Sequence, residues 1–214
     1  MTQTPDRPRY HHGALRDALL AAAEEELVAV GTERFSLRSV AKRAGVSHAA
    51  PAHHFGDVQG LLTALCASGF HRFLASQAAR EALAPPDDPR AQLIAAGLGY
   101  VDFAMAHPAL FRLMFASDKP ARESMDLAMA GYAAFAHLQA QVMAAGGASP
   151  TQLLATGPMT ADLAAAWAMA HGLADLIGQG PMMAVAAMAP ADRDALLIQI
   201  LSRSLPTSSH APTA

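Results

Sequence analysis

Residues 34–55 read RFSLRSVAKRAGVSHAAPAHHF, and the fold turns on this stretch. Ser36 suits the N-cap of a short helix, because a side-chain oxygen there accepts from the unpaired N–H groups of the first turn. Leu37, Val40 and Ala41 supply an inward face, and Ala44 with Gly45 ends the helix, glycine being the residue that most readily adopts the left-handed conformation past a C-cap. Val46 plugs the turn, and Ser47 is placed to cap a following helix. Two short helices joined by a tight glycine-containing turn, with the small Ala41 at the packing point, describe a helix-turn-helix whose second helix reads duplex DNA.

Charge supports that reading through its distribution rather than its total. The 214 residues carry a net charge of -3, yet 34–55 holds Arg34, Arg38, Lys42 and Arg43 with no acidic residue, while 63–214 holds 8 basic and 11 acidic residues. A small basic segment on an acidic body is the signature of a phosphate-facing module on a domain that does not bind nucleic acid. On a major-groove helix the N-terminal residues meet base edges and the flanking donors meet phosphates. Ser47, His48, Ala49 and Ala50 are therefore expected to face bases. Ser36, Arg38, Lys42, Arg43, His53 and His54 are expected on the backbone side, so that replacing Arg43 weakens binding to every sequence whereas replacing His48 alters base preference.

Outward from this segment the pattern is helical throughout, with no alternating strand pattern, and the apolar runs are rich in Ala, Leu and Met. Leu15, Leu19, Ala22, Leu27 and Val30 form one face of a first helix that Gly31 closes. A fourth helix starts at Asp57, carries Leu61, Leu62, Leu65, Phe70, Phe73 and Leu74 inward and ends near Leu83. A fifth runs from Asp88 or Pro89 to His107, where Pro108 breaks it. Further helices are expected over 109–116, 121–145, 158–178 and 190–205. The chain thus reads as all-α, with a three-helix DNA-binding domain over 10–56, a helical bundle over 57–205, and a disordered tail over 206–214.

Composition narrows the class further. Apolar residues make up 52% and charged residues 15%, well below the roughly 25% charge of an average soluble protein, which points to surface hidden in an oligomer. The N-terminal MTQTPDRPRYHH does not read as a signal peptide. The longest apolar stretch, Leu163 to Ala174, contains His171 and is shorter than the roughly 20 residues of a membrane span. A cytoplasmic protein without a membrane partner is expected. The single Cys66 excludes an internal disulfide framework.

The order and content of these elements resemble the TetR (tetracycline-repressor-like) family of transcription regulators. YHHGALRDALLAAA is similar to that family's first helix, FSLRSVAKRAGVS to its second helix and turn, and HHF followed by Leu61 and Leu62 to its third helix entering the fourth. Trp167, His171 and Gly172 resemble the W-x-x-x-H-G (WHG) pattern of one C-terminal subtype. The resemblance implies that 57–205 is a ligand-binding and dimerisation domain, with a homodimer joined by the last two long helices of each chain, a double-stranded and roughly palindromic DNA operator, and a small, largely apolar effector whose binding releases a repressor from DNA. Two phosphate-touching residues common in the family are missing, a tyrosine near Pro51–Ala52 and a lysine where Val58 stands. Their loss implies weaker, less salt-sensitive binding. Pro51, counted from a cap at Ser47, would also distort the first turn of the reading helix.

Several side chains admit a chemical role beside a structural one. Tyr100, Phe103, Phe111, Phe115 and Tyr132 cluster in the middle helices, where relatives keep an effector site, and Met105, Met114, Met129, Met143 and Met169 either line such a pocket or fill the core. Trp167, His171 and Asp175 share one helix face at i, i+4 spacing, which suits a ligand contact, a dimer face or, as the enzymatic alternative, a general acid–base pair. No nucleophile motif, phosphate loop or metal spacing accompanies them. His11, His12, His53 and His54 do not make a metal site, since adjacent helical histidines diverge, and no cofactor is expected. Cys66 reads as a packed thiol rather than a redox sensor. A sealed C-terminal core would instead mark an effector-independent helix-turn-helix adaptor.

Overall fold

The computed structural model describes residues 12–146, 161–178 and 180–205. Among the described residues there is no strand, and the chain runs α1 (His12–Val30), α2 (Leu37–Arg43), α3 (Ala50–Phe55), α4 (Val58–Glu81), α5 (Pro89–Ala106), α6 (Pro108–Phe115), α7 (Met125–Ala145), α8 (Ala161–Gly178), α9 (Met183–Ala186) and α10 (Pro190–Leu201), which tightens into a 3-10 turn over Ser202–Ser204. The tail over 206–214 and the first residues of the helix expected from Pro158 lie outside the described residues.

Local chemistry explains the boundaries. Asp57 stands at the N-cap of α4, its carboxylate accepting from Gly60 N at 2.8 Å. Asp88 does the same for α5, accepting from Arg90 N at 3.0 Å and Ala91 N at 3.1 Å ahead of a first-turn proline that needs no partner for its nitrogen. At Pro108 the chain turns by 110° from α5 into α6. No single helix is long and apolar enough to cross a membrane among the described residues.

α4 is the structural spine. It packs against α1, α5, α6 and α7. One continuous apolar core therefore runs from Leu19, Leu27 and Val40 at the N-terminal end, through Leu61, Leu65 and Phe73 of α4, to Leu110, Met114, Ile177 and Leu197. The close crossing of α4 and α5 depends on Gly99: a Cβ there would lie 2.5 Å from Gln77 Cα and 2.6 Å from the Ser76 carbonyl oxygen. Arg80 adds a polar clamp, its guanidinium hydrogen-bonded to Asp102 of α5 at 2.6 Å and to Asp194 of α10 at 2.6 and 3.1 Å. These bonds to Asp102 and Asp194 hold Arg80 even more firmly protonated than usual.

Four expectations are corrected. The third helix opens at Ala50 rather than at a Ser47 cap, with Ala49 as an N-cap that makes no side-chain hydrogen bond. Pro51 then falls within the first helical turn, where its missing N–H is harmless, so the anticipated distortion is removed. The seventh helix begins at Met125, not Ala121, because residues 117–124 are tied elsewhere: Ala121 N donates to Thr63 Oγ1 of α4 at 2.8 Å and Lys119 N to Ser117 Oγ at 3.2 Å. The last α-helix stops at Leu201 rather than Leu205, and the one-turn α9 has too short an apolar pattern to read from sequence.

Candidate functional site

The helix-turn-helix is built by backbone hydrogen bonds that the sequence makes available. Ser36 Oγ accepts from Ser39 N at 3.2 Å. At the other end of α2, Gly45 takes φ +67°, and the N–H groups of Gly45 and Val46 reach back to the carbonyls of Lys42 and Ala41 at 3.2 and 3.0 Å. That paired closure needs a left-handed residue, which is why glycine sits there. Val40, Ala41 and Pro51 are buried beneath the motif.

The outer face presents Ser47, His48, Ala49, Ala52 and His53 to solvent, with Ala50 and His54 half-buried beside them. Arg38 and Lys42 are exposed on α2 and make no ion pair with a described residue, whereas Ser36 is half-buried and occupied as the cap. Arg43 differs from its sequence reading. Its Nη2 and Nε hydrogen-bond Glu26 Oε2 of α1 at 2.8 and 3.2 Å, and the Glu26 side chain is only 7% exposed. The bond to Glu26 raises the Arg43 pKa further. Arg43 is thus the partner that keeps a buried carboxylate solvated, and it joins α2 to α1 whatever else it touches.

In the C-terminal half a cavity of about 310 Å³ opens between α4, α5, α7 and α8. Phe70, Phe73 and Gln77 come to it from α4, Tyr100 from α5, Met114 and Phe115 from α6, Phe135 and Leu138 from α7, and Trp167 from α8. Of the aromatic residues singled out from the sequence, Tyr100, Phe115 and Trp167 line it. Phe103 and Phe111 are buried in the core behind, the Phe111 ring tilted against Phe115 with centroids 4.8 Å apart. Tyr132 does not reach the cavity: it is 67% exposed on the outer face of α7, because the α7 residues turned inward are Gly131, Ala134, Phe135 and Leu138.

His171 lies outside the cavity lining, against Phe111 and Phe115 with ring centroids at 5.3 Å each, and shares a 2.7 Å hydrogen bond through Nδ1 with the Tyr100 hydroxyl. Burial pushes the Tyr100 hydroxyl well above its ordinary range, so it stays protonated and available to that bond. Asp175 Oδ2 is 3.7 Å from His171 Nε2 and faces water, too far for a catalytic hydrogen bond. Met105 and Met169 are half-buried against the core, Met129 is exposed, and only Met114 of the singled-out methionines lines the cavity. Cys66 is fully buried and its thiol is pushed up to about 11 by that burial.

Gln77, Arg122 and Phe135 on the cavity wall escaped sequence reading. Gln77 and Phe135 stand at ordinary helical spacings, and Arg122 sits in an irregular link with no motif around it.

Polar contacts join the two halves. Glu24 of α1 pairs with Arg72 of α4 and with His107 Nδ1 at 2.9 Å, at the α5–α6 corner. Lys119 of the 117–124 link reaches Glu33 at 3.2 Å, while within the C-terminal half Gln59 Nε2 of α4 donates to the Lys119 carbonyl at 3.3 Å.

Comparison with known proteins agrees with this architecture. Residues 19–65 match the family model described as bacterial regulatory proteins, tetR family, and residues 93–203 match the tetracyclin repressor-like C-terminal domain. A solved structure of a protein of unknown function from Rhodococcus sp. RHA1 is similar at 35% identity and TM-score 0.71, covering 94% of this chain and all of that one. A transcriptional regulator from the same organism aligns at 25% identity and TM-score 0.61 over 88% of this chain and 94% of its own. The fatty acid degradation regulator FadR from Bacillus halodurans shares the fold at 15% identity and TM-score 0.63, over 97% of this chain and 100% of that one. No curated protein sequence matches. With a helix-turn-helix at residues 37–55, an all-helical body and matches to both domains, this chain belongs to the TetR family of transcriptional regulators, and is a regulator rather than an enzyme.

Proposed function

We propose that the protein is an effector-responsive repressor, acting in the cytoplasm as a homodimer on a palindromic double-stranded operator. The observation that carries this reading is that one helix, α4, serves both sites: Phe70, Phe73 and Gln77 line the cavity, while the first turn of α4 follows directly on α3. An effector that fits the cavity better in one setting of α4 than in another changes the position of the reading head by that difference in affinity. A coupling of about 1–3 kcal/mol suffices for a useful switch. An open cavity is also what an effector-independent adaptor would lack.

The dimer reading is supported by α8 and α10, which pack together and leave Ala161, Ala164, Ala168 and Leu176 on one helix and Ala195 and Ile198 on the other facing water in the single chain. Small side chains there permit the close approach of a four-helix contact. In the head, Ser47, His48 and Ala49 supply base contacts and Arg38, Lys42, His53 and His54 phosphate contacts.

The test is a gel shift of the full chain on DNA flanking its own gene, across a salt series and with candidate lipophilic compounds. Arg38→Ala and Lys42→Ala are expected each to lower the salt slope by about one with unchanged base preference, and His48→Ala to change base preference. Binding that ignores salt, or equal effects of all three substitutions on every sequence, contradicts these roles. DNA release by none of the compounds contradicts the effector reading.

A further inference from the structure

The cavity carries two polar groups that its apolar wall does not use. Gln77 is 5% exposed, lines the cavity, and its side-chain amide makes no hydrogen bond with any described residue. The amide opens on the cavity, where a polar group of a bound molecule can pair with it. Arg122 lines the same cavity from the solvent side, in the link before α7. One of its nitrogens, Nη2, donates to the Ser117 carbonyl at 2.9 Å, and it makes no ion pair among the described residues. Among the described residues no acidic side chain lines the cavity, and the other lining residues are apolar or aromatic except for Tyr100, whose hydroxyl is engaged with His171.

We propose that the effector is an apolar carboxylate, with an aromatic or aliphatic body between Phe70, Phe73, Phe115 and Trp167, its anionic end held by Arg122 and a polar group on the body met by Gln77. The inference rests on the reading of the cavity as the effector site. Guanidinium and carboxylate match as a two-pronged, charge-assisted pair, and an unopposed cation at the mouth discriminates against neutral and cationic molecules of the same shape. Because the mouth is open to solvent, the pair is partly screened.

Arg122 also stands where it would move the head. Its own link is fastened to the N-terminal half through Lys119–Glu33, and to α4 through Gln59–Lys119 and Ala121–Thr63. An anion that draws Arg122 toward the cavity pulls on those contacts.

Trp167 is the single tryptophan of the chain and lies on the cavity wall, so its fluorescence reports occupancy. Phenylbutyrate, naphthoate and decanoate, each beside its primary amide, are titrated into the full-length protein and into Arg122→Gln and Arg122→Lys, with melting curves confirming that both variants fold. The expected result is that the wild type binds at least one carboxylate about tenfold tighter than its amide, that Arg122→Gln binds the two alike at the amide's affinity, that Arg122→Lys keeps most of the preference, and that added salt reduces it. Equal binding of acid and amide by the wild type, or a preference that survives in Arg122→Gln, overturns the carboxylate assignment while leaving the cavity as an effector site. No response of Trp167 to any of the six compounds overturns both.

Discussion

Replacing Gly99 by alanine tests the packing on which the whole C-terminal half is built. On an exposed helix the change would be favourable by about 1 kcal/mol, since alanine is the better helix former. Here the added Cβ would lie 2.5 Å from Gln77 Cα, 2.6 Å from Ser76 O and 2.8 Å from Gln77 N, all of them α4 backbone. Ordinary carbon contacts require roughly 3.5–4.0 Å, so α4 and α5 must separate by about 1 Å. Overpacking of this kind costs about 1–3 kcal/mol, and the 2.9 Å bond from Ser76 Oγ to the Gly99 carbonyl is lost with it, worth about 1 kcal/mol more. The net expectation is a loss of about 2 kcal/mol, or a fall of roughly 4–8 °C in Tm for a chain of this size. Urea unfolding followed by circular dichroism, at fixed protein concentration, measures it. Gly97→Ala is the matched comparison: its Cβ meets only the tip of the Leu201 side chain at 3.0–3.1 Å, which can turn aside, so stability is expected to change little. A Gly99→Ala protein as stable as the wild type, or no less stable than Gly97→Ala, refutes the argument from backbone contact.

Arg43→Ala is expected to lower the melting temperature as well as DNA affinity, because it strands the buried Glu26 carboxylate; adding Glu26→Gln should restore much of the melting temperature, and identical melting of the single and double variants would show the pair to be inert. With its thiol pushed up to about 11, native Cys66 holds roughly a thousandth of its sulfur as thiolate at pH 8. Iodoacetamide labelling followed by mass spectrometry is therefore expected to be slow at pH 8, faster as pH approaches 11, and fast in denaturant; rapid labelling of the native protein at pH 8 would contradict the burial.

Elements with local causes were legible before the structure. The α2–turn–α3 motif follows from Ser36, the Ala44–Gly45 stop and the inward Val40 and Ala41, and the starts of α4 and α5 from Asp57 and Asp88, because caps and turns act within four residues. The start of α3 lies two residues beyond the one a Ser47 cap predicts, for the same reason: serine at 47 has the chemistry of a cap, but the turn carries the chain on to Ala49 before helical bonding begins. Aromatic clustering along the sequence places Tyr132 with the effector site, but helix rotation, which packing of Ala134 and Phe135 decides, turns it outward.

Sequence alone determined the all-helical class, the position of the reading head and the basic surface around it, since periodicity, capping and charge are properties of neighbouring residues. Tertiary packing decided that Arg43 answers to a carboxylate seventeen residues away, that Gln77 and Arg122 share a cavity with Trp167, and that α4 runs from the helix-turn-helix to that cavity. Those relations join residues far apart along the chain, and their energies arise from burial and distance, which exist only once the helices have packed.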